Sequence, residues 1–187
     1  MSSYSEGQTH QLMNALEAAN FSATELTLLG QFPRLIDIKA VLHGTAKIVI
    51  TVHTIVRAAA PFVPKNWKVE EHQLGSQLQW DPDRVSLFLC EEQKGGSIEG
   101  RKLRQKLQGE PVLNANILDY LLANPQLIPE EWKGKAVFFW GTIYRYRHSY
   151  GHLFVRYLYW DGEQWLWDYR WLDFDFLGGH PAALLRK

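Results

Sequence analysis

The sequence predicts an α+β fold, in which short N-terminal helices pack on a twisted antiparallel sheet with a C-terminal aromatic-rich β-meander. Residues 1–44 carry apolar side chains at helical spacing, whereas residues 136–176 hold three strand-like runs separated by turn residues. The length of 187 residues fits a single domain. Within residues 1–187 we expect a helical layer (1–44), a mixed α/β part (45–135) and an antiparallel β-meander (136–176).

Helix boundaries follow from caps and stop residues. Ser22 and Glu25 have the spacing of a capping box, and Gly44 is a natural helix stop. Ser97 is the expected N-cap of a basic helix. Pro125 ends a later helix, at residues 116–123. The predicted helices span residues 10–19, 22–30, 34–43, 98–108 and 116–123.

Strands are indicated by β-branched and aromatic runs between turn residues. The run KIVITVHTIV predicts a largely buried strand, and residues 178–187 are expected to form a loop with a short apolar anchor. Two similar segments, FVPKNWK and LIPEEWK, indicate proline turns in which Trp67 and Trp132 each cover a core edge. The predicted strands span residues 47–56, 85–90, 136–145, 152–160 and 163–172.

The last two strands form a hairpin around Asp161-Gly162, a pair typical of a two-residue type I' turn that sets Trp160 opposite Glu163. In this register Arg156 faces Trp167, which allows a cation-π contact. One side of the hairpin, here called the aromatic face, collects His152, Phe154, Arg156, Leu158, Trp160, Glu163, Trp165, Trp167, Tyr169 and Trp171. The opposite face collects Leu153, Val155, Tyr157, Tyr159, Gln164, Leu166, Asp168 and Arg170.

The aromatic face has two interpretations. Large aromatic side chains form cores more often than open recognition surfaces, which favours packing against the helix at 116–123. Because both faces are partly apolar, we expect one face to cover the core and the other to keep aromatic area near water. An exposed row of rings could stack sugars, bases or partner side chains. The sequence leaves open which face is buried.

Several classes of function are disfavoured. Twenty basic residues balance twenty acidic ones, so the chain lacks the positive field of a duplex-binding protein. Cys90 is the only cysteine, which excludes an internal disulfide and a zinc site built on paired cysteines. The chain shows no secretory leader and no membrane span, and we expect a cytoplasmic protein without a cofactor or metal. The basic residues of the helix at 98–108 are typical of a solvated helix surface: Arg101, Lys102, Arg104 and Lys106. Asn114, Asn116 and Asp119 lie before and within the next helix, where capping is their expected role.

The sequence favours a non-enzymatic binding or interaction module that uses the aromatic face. Its ligand could be a protein partner, a single-stranded nucleic acid or a glycan. A small hydrolase or transferase with Asp168, His152 or Asp173 as acid-base groups is the first alternative. A structural homo-oligomer that buries the aromatic face between subunits is the second. The candidate ligand-binding residues are His152, Arg156, Trp165, Trp167, Tyr169 and Trp171.

The segment PVLNANILDYLLANPQLIPEEWKGKAVFFWGTIYR at residues 111–145, followed by VRYLYWDG, resembles a set of uncharacterised bacterial hypothetical proteins. The similarity covers residues 80–176 and includes the preceding SIEGRKLRQKL. It implies a bacterial cytoplasmic protein whose shared part is a helix with the aromatic sheet. It implies no reaction, cofactor or catalytic residue.

Overall fold

The computed structural model describes residues 4–32, 35–49, 52–147 and 152–186. Residue contacts divide the chain into two compact units, residues 1–51 and 52–187. The described residues form six α-helices and a main sheet of six strands, so the predicted α+β class is confirmed. The single domain expected over the whole chain stays a prediction, which truncation at the unit boundary tests.

Three helices make up the described part of the first unit: α1 (Glu6–Ala18), α2 (Ala23–Gln31) and α3 (Leu35–Leu42). The predicted capping box of α2 is confirmed, since Ser22 Oγ accepts the Glu25 N–H and Glu25 accepts the Ser22 N–H. Helix α1 begins four residues before the predicted start because Ser5 and Gln8 form a second capping box. None of the described residues of this unit is buried, so its helices enclose no core among themselves.

The strand predicted over residues 47–56 is wrong for most of its length. Only Thr54–Val56 forms a strand, β1, which pairs with β3 (Gln77–Gln79) in a separate two-stranded sheet. Ile48 and Val49 are 81% and 66% exposed in a segment without regular structure, and residues 50–51 lie outside the described residues. β-branched residues favour a strand only where a neighbouring strand packs against them. Here the boundary between the two units falls inside the predicted strand.

The main sheet of the second unit has six strands: β2 (Trp67–His72), β4 (Val85–Phe88), β6 (Val137–Tyr146), β7 (Leu153–Trp160), β8 (Trp165–Trp171) and β10 (Ala182–Leu185). Their order is β4-β10-β6-β7-β8, and β2 also pairs with β6. Neighbouring strands are antiparallel except β10 and β6, which pair in parallel. Four of the strands match predictions to within two residues, whereas β2 was missed and β10 replaces the expected C-terminal loop.

The basic helix is shorter than predicted. Ser97 belongs to a strand and is not an N-cap, and its hydroxyl donates to the Asp175 carboxylate at 3.0 Å. The strand forms because its backbone pairs with a strand near the C-terminus, which the local sequence does not reveal. The remaining elements are α4 (Glu91–Gly95), β5 (Ser97–Glu99), α5 (Gly100–Lys106), α6 (Ala115–Ala123) and β9 (Asp175–Leu177).

Both faces of the main sheet are packed, which differs from the expectation that one face lies near water. Helix α6 covers the aromatic face, where Leu118 and Leu121 pack with Leu158 and Trp165. Helix α5 covers the opposite face, where Leu103 and Leu107 belong to a second apolar cluster. Each helix buries an apolar stripe against the sheet, and the hairpin therefore lies between two cores.

Both proline turns are confirmed as devices that bring a tryptophan onto the core. The N–H of Trp67 donates to the Pro64 carbonyl at 3.0 Å, and that of Trp132 donates to the Pro129 carbonyl at 3.0 Å. The two tryptophans are only 7% and 3% exposed. The Trp67 ring lies on the aromatic face, and it becomes part of the candidate site.

Candidate functional site

The hairpin turn differs from the predicted two-residue turn. Trp160 pairs with Trp165, which leaves a four-residue loop at residues 161–164. Asp161 Oδ1 accepts the N–H groups of Glu163 and Gln164, both at 2.8 Å, and these bonds lower the pKa of Asp161. A carboxylate that satisfies two backbone amides stabilises this wider loop over the tight turn.

The wider loop shifts the register of the hairpin by two residues. Arg156 pairs with Tyr169 in the ladder, and the predicted pairing with Trp167 is wrong. Because side chains alternate with a period of two, a shift of two residues leaves every residue on its predicted face. The aromatic face is therefore as predicted except for Glu163, which lies in the loop.

On β8, burial of the aromatic face falls from Trp165 next to the loop to Tyr169. Trp165 is 8% exposed and packs in the core with α6, whereas Trp167 and Trp171 are partly buried. Tyr169 is 40% exposed, and His152 is exposed. The partly open aromatic surface therefore lies on β8, whereas Phe154, Arg156 and Leu158 of β7 are at most 1% exposed.

Arg156 is the most buried of the candidate residues, with an exposure of 1%. Its two terminal nitrogens donate to the two carboxylate oxygens of Asp119 on α6, at 2.7 and 3.1 Å. The guanidinium carbon lies 4.0 Å from the centroid of the Trp167 ring and 5.5 Å from that of Phe62. The predicted cation-π contact therefore exists within a buried ion pair, and the described residues give no partner to Arg156 Nε. Asp119 is not a helix cap but the counter-ion of this arginine.

Four further aromatic rings pack around the Trp67 ring on this face. Their centroids lie 3.8 Å (Phe154), 4.9 Å (Tyr169), 5.3 Å (Tyr144) and 6.2 Å (Trp167) from that of Trp67. Burial raises the pKa of the Tyr144 hydroxyl, which donates to the Phe62 carbonyl at 3.1 Å. Edge-to-face contacts of this kind fix the rings that flank Arg156. We call Arg156, Asp119 and the rings of Phe62, Trp67, Tyr144 and Trp167 the arginine cluster.

A second polar group lies at the open end of the hairpin. His152 Nδ1 lies 2.8 Å from one oxygen of the Asp173 carboxylate, and Arg101 Nε donates to the other oxygen at 2.6 Å. The His152 and Arg101 contacts lower the pKa of Asp173, with the His152 hydrogen bond the largest cause. The His152 ring also meets the Trp171 ring edge-on, with centroids 4.9 Å apart.

The acid-base residues proposed from the sequence are only partly brought together. His152 and Asp173 are in contact, but Asp168 lies on the opposite face of β8. Its carboxylate accepts hydrogen bonds from the Tyr157 hydroxyl at 3.4 Å and from the Tyr169 N–H at 2.7 Å. A histidine held by a carboxylate can relay a proton, and here the carboxylate is shared with Arg101.

A polar cavity of about 370 Å³ lies between α5, β2 and β6. Arg101 lines it, and its salt bridge to Asp173 connects the cavity wall to the His152 group. Arg104 also lines the cavity and forms an ion pair with Glu71 across it. Sequence reasoning interpreted these arginines as an ordinary solvated helix surface, because the partner carboxylates lie far away in the chain.

Within the described residues no group of three histidine, cysteine, aspartate or glutamate side chains could hold a metal ion. Among the same residues, none of the helices has both the length and the apolar character needed to cross a membrane. Cys90 is buried at the N-cap of α4, in the apolar cluster that α5 helps to form.

Comparisons with protein-family models, with curated proteins and with solved structures give no match to this chain.

Proposed function

We propose that the protein is a non-enzymatic interaction module that binds an extended protein segment along β8. One observation carries this proposal. Strand β8 lies at the end of the main sheet and, within the described residues, pairs with β7 alone. An edge strand of seven residues offers a row of backbone N–H and C=O groups to an added strand.

Aromatic side chains next to this edge supply the contacts that backbone pairing lacks. Tyr169 and Phe62 are 40% and 55% exposed, and Trp167 and Trp171 keep part of their rings open. Tyrosine and tryptophan are enriched at interface hot spots because they bury a large area and lose few rotamers. The partly open aromatic surface therefore supports recognition of side chains on an added strand.

The charges around β8 favour a protein over a nucleic acid. Arg156 is sequestered by Asp119, and Arg170 Nε donates to the Asp175 carbonyl at 2.8 Å. Asp168 lies in the middle of the strand and Asp173 follows it, where each would repel a phosphate. A glycan would stack on an open ring face, but the Trp167 ring already contacts the Arg156 guanidinium.

The hydrolase alternative has one specific observation in its favour, the 2.8 Å contact between His152 and Asp173. The geometry supports it less well, because Arg101 neutralises the same carboxylate and the pair lies on the surface. If the protein is a binding module, His152→Ala should leave peptide binding unchanged. If the chain hydrolyses a panel of activated esters and this variant abolishes the activity, the hydrolase replaces the binding module as the function.

A peptide selection tests the binding module. Seven-residue random peptides displayed on phage are selected on the full chain, and enriched peptides are measured against Tyr169→Pro and Tyr169→Val. Proline removes one backbone donor from the edge, whereas valine removes only the ring. We expect the proline variant to lose binding by about tenfold or more while its circular dichroism stays native.

The valine variant is the matched control, because it keeps the backbone N–H. Partial loss of binding in this variant measures the contribution of the ring. Peptides that bind the proline variant as tightly as the native chain would show that the edge of β8 is not the binding surface.

A further inference from the structure

We infer that the strand bound at the β8 edge is β8 of a second copy of this chain, paired antiparallel about a two-fold axis through Tyr169. This inference rests on the proposed function and names its partner. A two-fold symmetric interface uses the same surface of both subunits, so the strand must be complementary to itself. The sequence of β8, WLWDYRW, meets this condition in one register.

The possible registers are few. Residues directly opposite each other in an antiparallel pair lie on the same face of the sheet. The side chains of β8 alternate between the two faces, so one residue must pair with its own copy in the other chain. The two-fold axis lies midway between these two copies, and we name the axis after that residue. Each choice of axis residue fixes every other pair.

The charges select among these registers. Strand β8 carries one acidic residue, Asp168, and one basic residue, Arg170, on the same face. An axis through Asp168 places two aspartates opposite each other, and an axis through Arg170 places two arginines opposite each other. An axis through Tyr169 sets Asp168 opposite Arg170 twice. Neighbouring registers are therefore penalised by like charges, and the central one gains two opposite-charge pairs.

The aromatic face is complementary in the same register. Tyr169 meets Tyr169 of the second copy, and Trp167 meets Trp171 twice. Direct aromatic cross-strand pairs stabilise antiparallel sheets. The partly open rings of the two copies would form one continuous aromatic surface across the interface.

The backbone at Tyr169 is suited to this pairing. Its N–H donates to Asp168 Oδ1 at 2.7 Å rather than to β7, so it belongs to the unpaired side of the strand. In the dimer this N–H would donate to the carbonyl of Tyr169 in the second copy. The Asp168 carboxylate would then turn to the Arg170 guanidinium of the second copy. In the described residues this guanidinium uses Nε for a hydrogen bond to the Asp175 carbonyl. Asp168 thus caps the edge in the free chain and completes an ion pair in the dimer.

Sedimentation analysis of the full chain over a range of concentrations tests the inference. We expect a reversible dimer, with Asp168→Arg and Arg170→Asp each weakening association by about tenfold or more through like-charge contacts. The double variant D168R/R170D restores opposite charges and should return to within about threefold of the native constant. Arg84→Glu is the control for a charge reversal away from the edge, because Arg84 directly precedes β4 at the other end of the main sheet, and it should leave association unchanged.

A cross-linking experiment tests the register directly. Residues on the two-fold axis have Cα atoms about 5.5 Å apart in a hydrogen-bonded pair, within the range of a disulfide. Oxidised Tyr169→Cys should therefore yield a covalent dimer. Asp168→Cys should not, because the two copies of that residue lie diagonally, roughly 7 to 8 Å apart.

The outcomes separate this inference from the proposed function. A native chain that is monomeric at all concentrations, or charge variants that keep their native fold and associate like the native chain, would overturn the dimer. In that case binding of selected peptides that is lost in Tyr169→Pro still supports the interaction module, and the charges of β8 act only to guard the edge. A dimer that persists in Tyr169→Pro uses another surface and overturns the inference, whereas peptide binding to that variant still decides the proposed function.

Discussion

Removal of the Asp119 carboxylate is the most informative test of the arginine cluster. Asp119→Ala leaves the Arg156 guanidinium in place, 1% exposed, without the two hydrogen bonds of 2.7 and 3.1 Å that balance its charge. The Trp167 ring at 4.0 Å offers only a cation-π contact in compensation. A buried charge that loses its counter-ion destabilises a fold more than the intact pair stabilises it.

The magnitude follows from the burial of the two partners. Breaking a buried ion pair by removing one partner costs about 3 to 5 kcal/mol. The Asp119 side chain is 31% exposed, so water can reach the end of the guanidinium and the lower limit of about 3 kcal/mol applies. For a chain of this size, that loss lowers the melting temperature by roughly 6 to 12 °C.

Urea unfolding measures this cost, and two matched variants interpret it. Glu130→Ala breaks the exposed pair with Lys133 and should cost no more than about 1 kcal/mol. Arg156→Met removes the buried charge but keeps an apolar chain, so we expect a smaller loss than in Asp119→Ala. A cost below about 1 kcal/mol for Asp119→Ala, or a larger cost for Arg156→Met, would refute the buried-charge argument.

Three further predictions concern pH, packing and the two units. Burial, with the nearby Asp168 carboxylate, raises the pKa of Tyr157 to about 12 from an ordinary value of 10.0. The unfolded chain then loses this proton first, so the free energy of unfolding should fall between pH 10 and pH 12, and Tyr157→Phe should reduce that slope in urea titrations. An added Cβ at Gly141 would lie 2.9 Å from backbone atoms of Leu113 and Asn114, so Gly141→Ala should lower the free energy of unfolding by about 1 to 3 kcal/mol. Gly95→Ala is the control, because a Cβ there meets open space and should change this free energy by less than about 0.5 kcal/mol. A chain truncated to residues 52–187 keeps all three apolar clusters and should unfold cooperatively in urea; a non-cooperative transition would contradict the independence of this unit.

Features of the fold that depend on neighbouring residues could be predicted from the sequence. The Ser22 and Glu25 capping box and the two proline turns are examples, because each is satisfied within a few residues. Features that depend on a distant partner could not. Strand β10 is a four-residue apolar run that becomes a strand only between β4 and β6. Ser97 likewise belongs to strand β5 and is not an N-cap, because β9 pairs with that strand.

The candidate site was predictable in its composition and not in its exposure. Alternation with a period of two assigns residues to faces even when the register is wrong by two, so the aromatic face was identified correctly. Burial of Arg156 depends on Asp119, which lies 37 residues earlier in the chain and has the appearance of a capping residue. The local sequence contains no signal that connects them, and only the packing of α6 on the sheet does so.

The arginine cluster changes the meaning of the aromatic row. An exposed arginine between aromatic rings could bind an incoming group. Here the Arg156 guanidinium instead forms an ion pair with Asp119 of α6 and is buried. Because Asp119 occupies the guanidinium, the central rings contribute to stability, and we propose recognition only for the part of β8 that α6 does not cover. There the strand keeps an unpaired edge, an exposed Tyr169 and two opposite charges on either side of it. Asp119 thus makes the aromatic row part of the core, and the edge of β8 is the surface on which we propose that a partner binds.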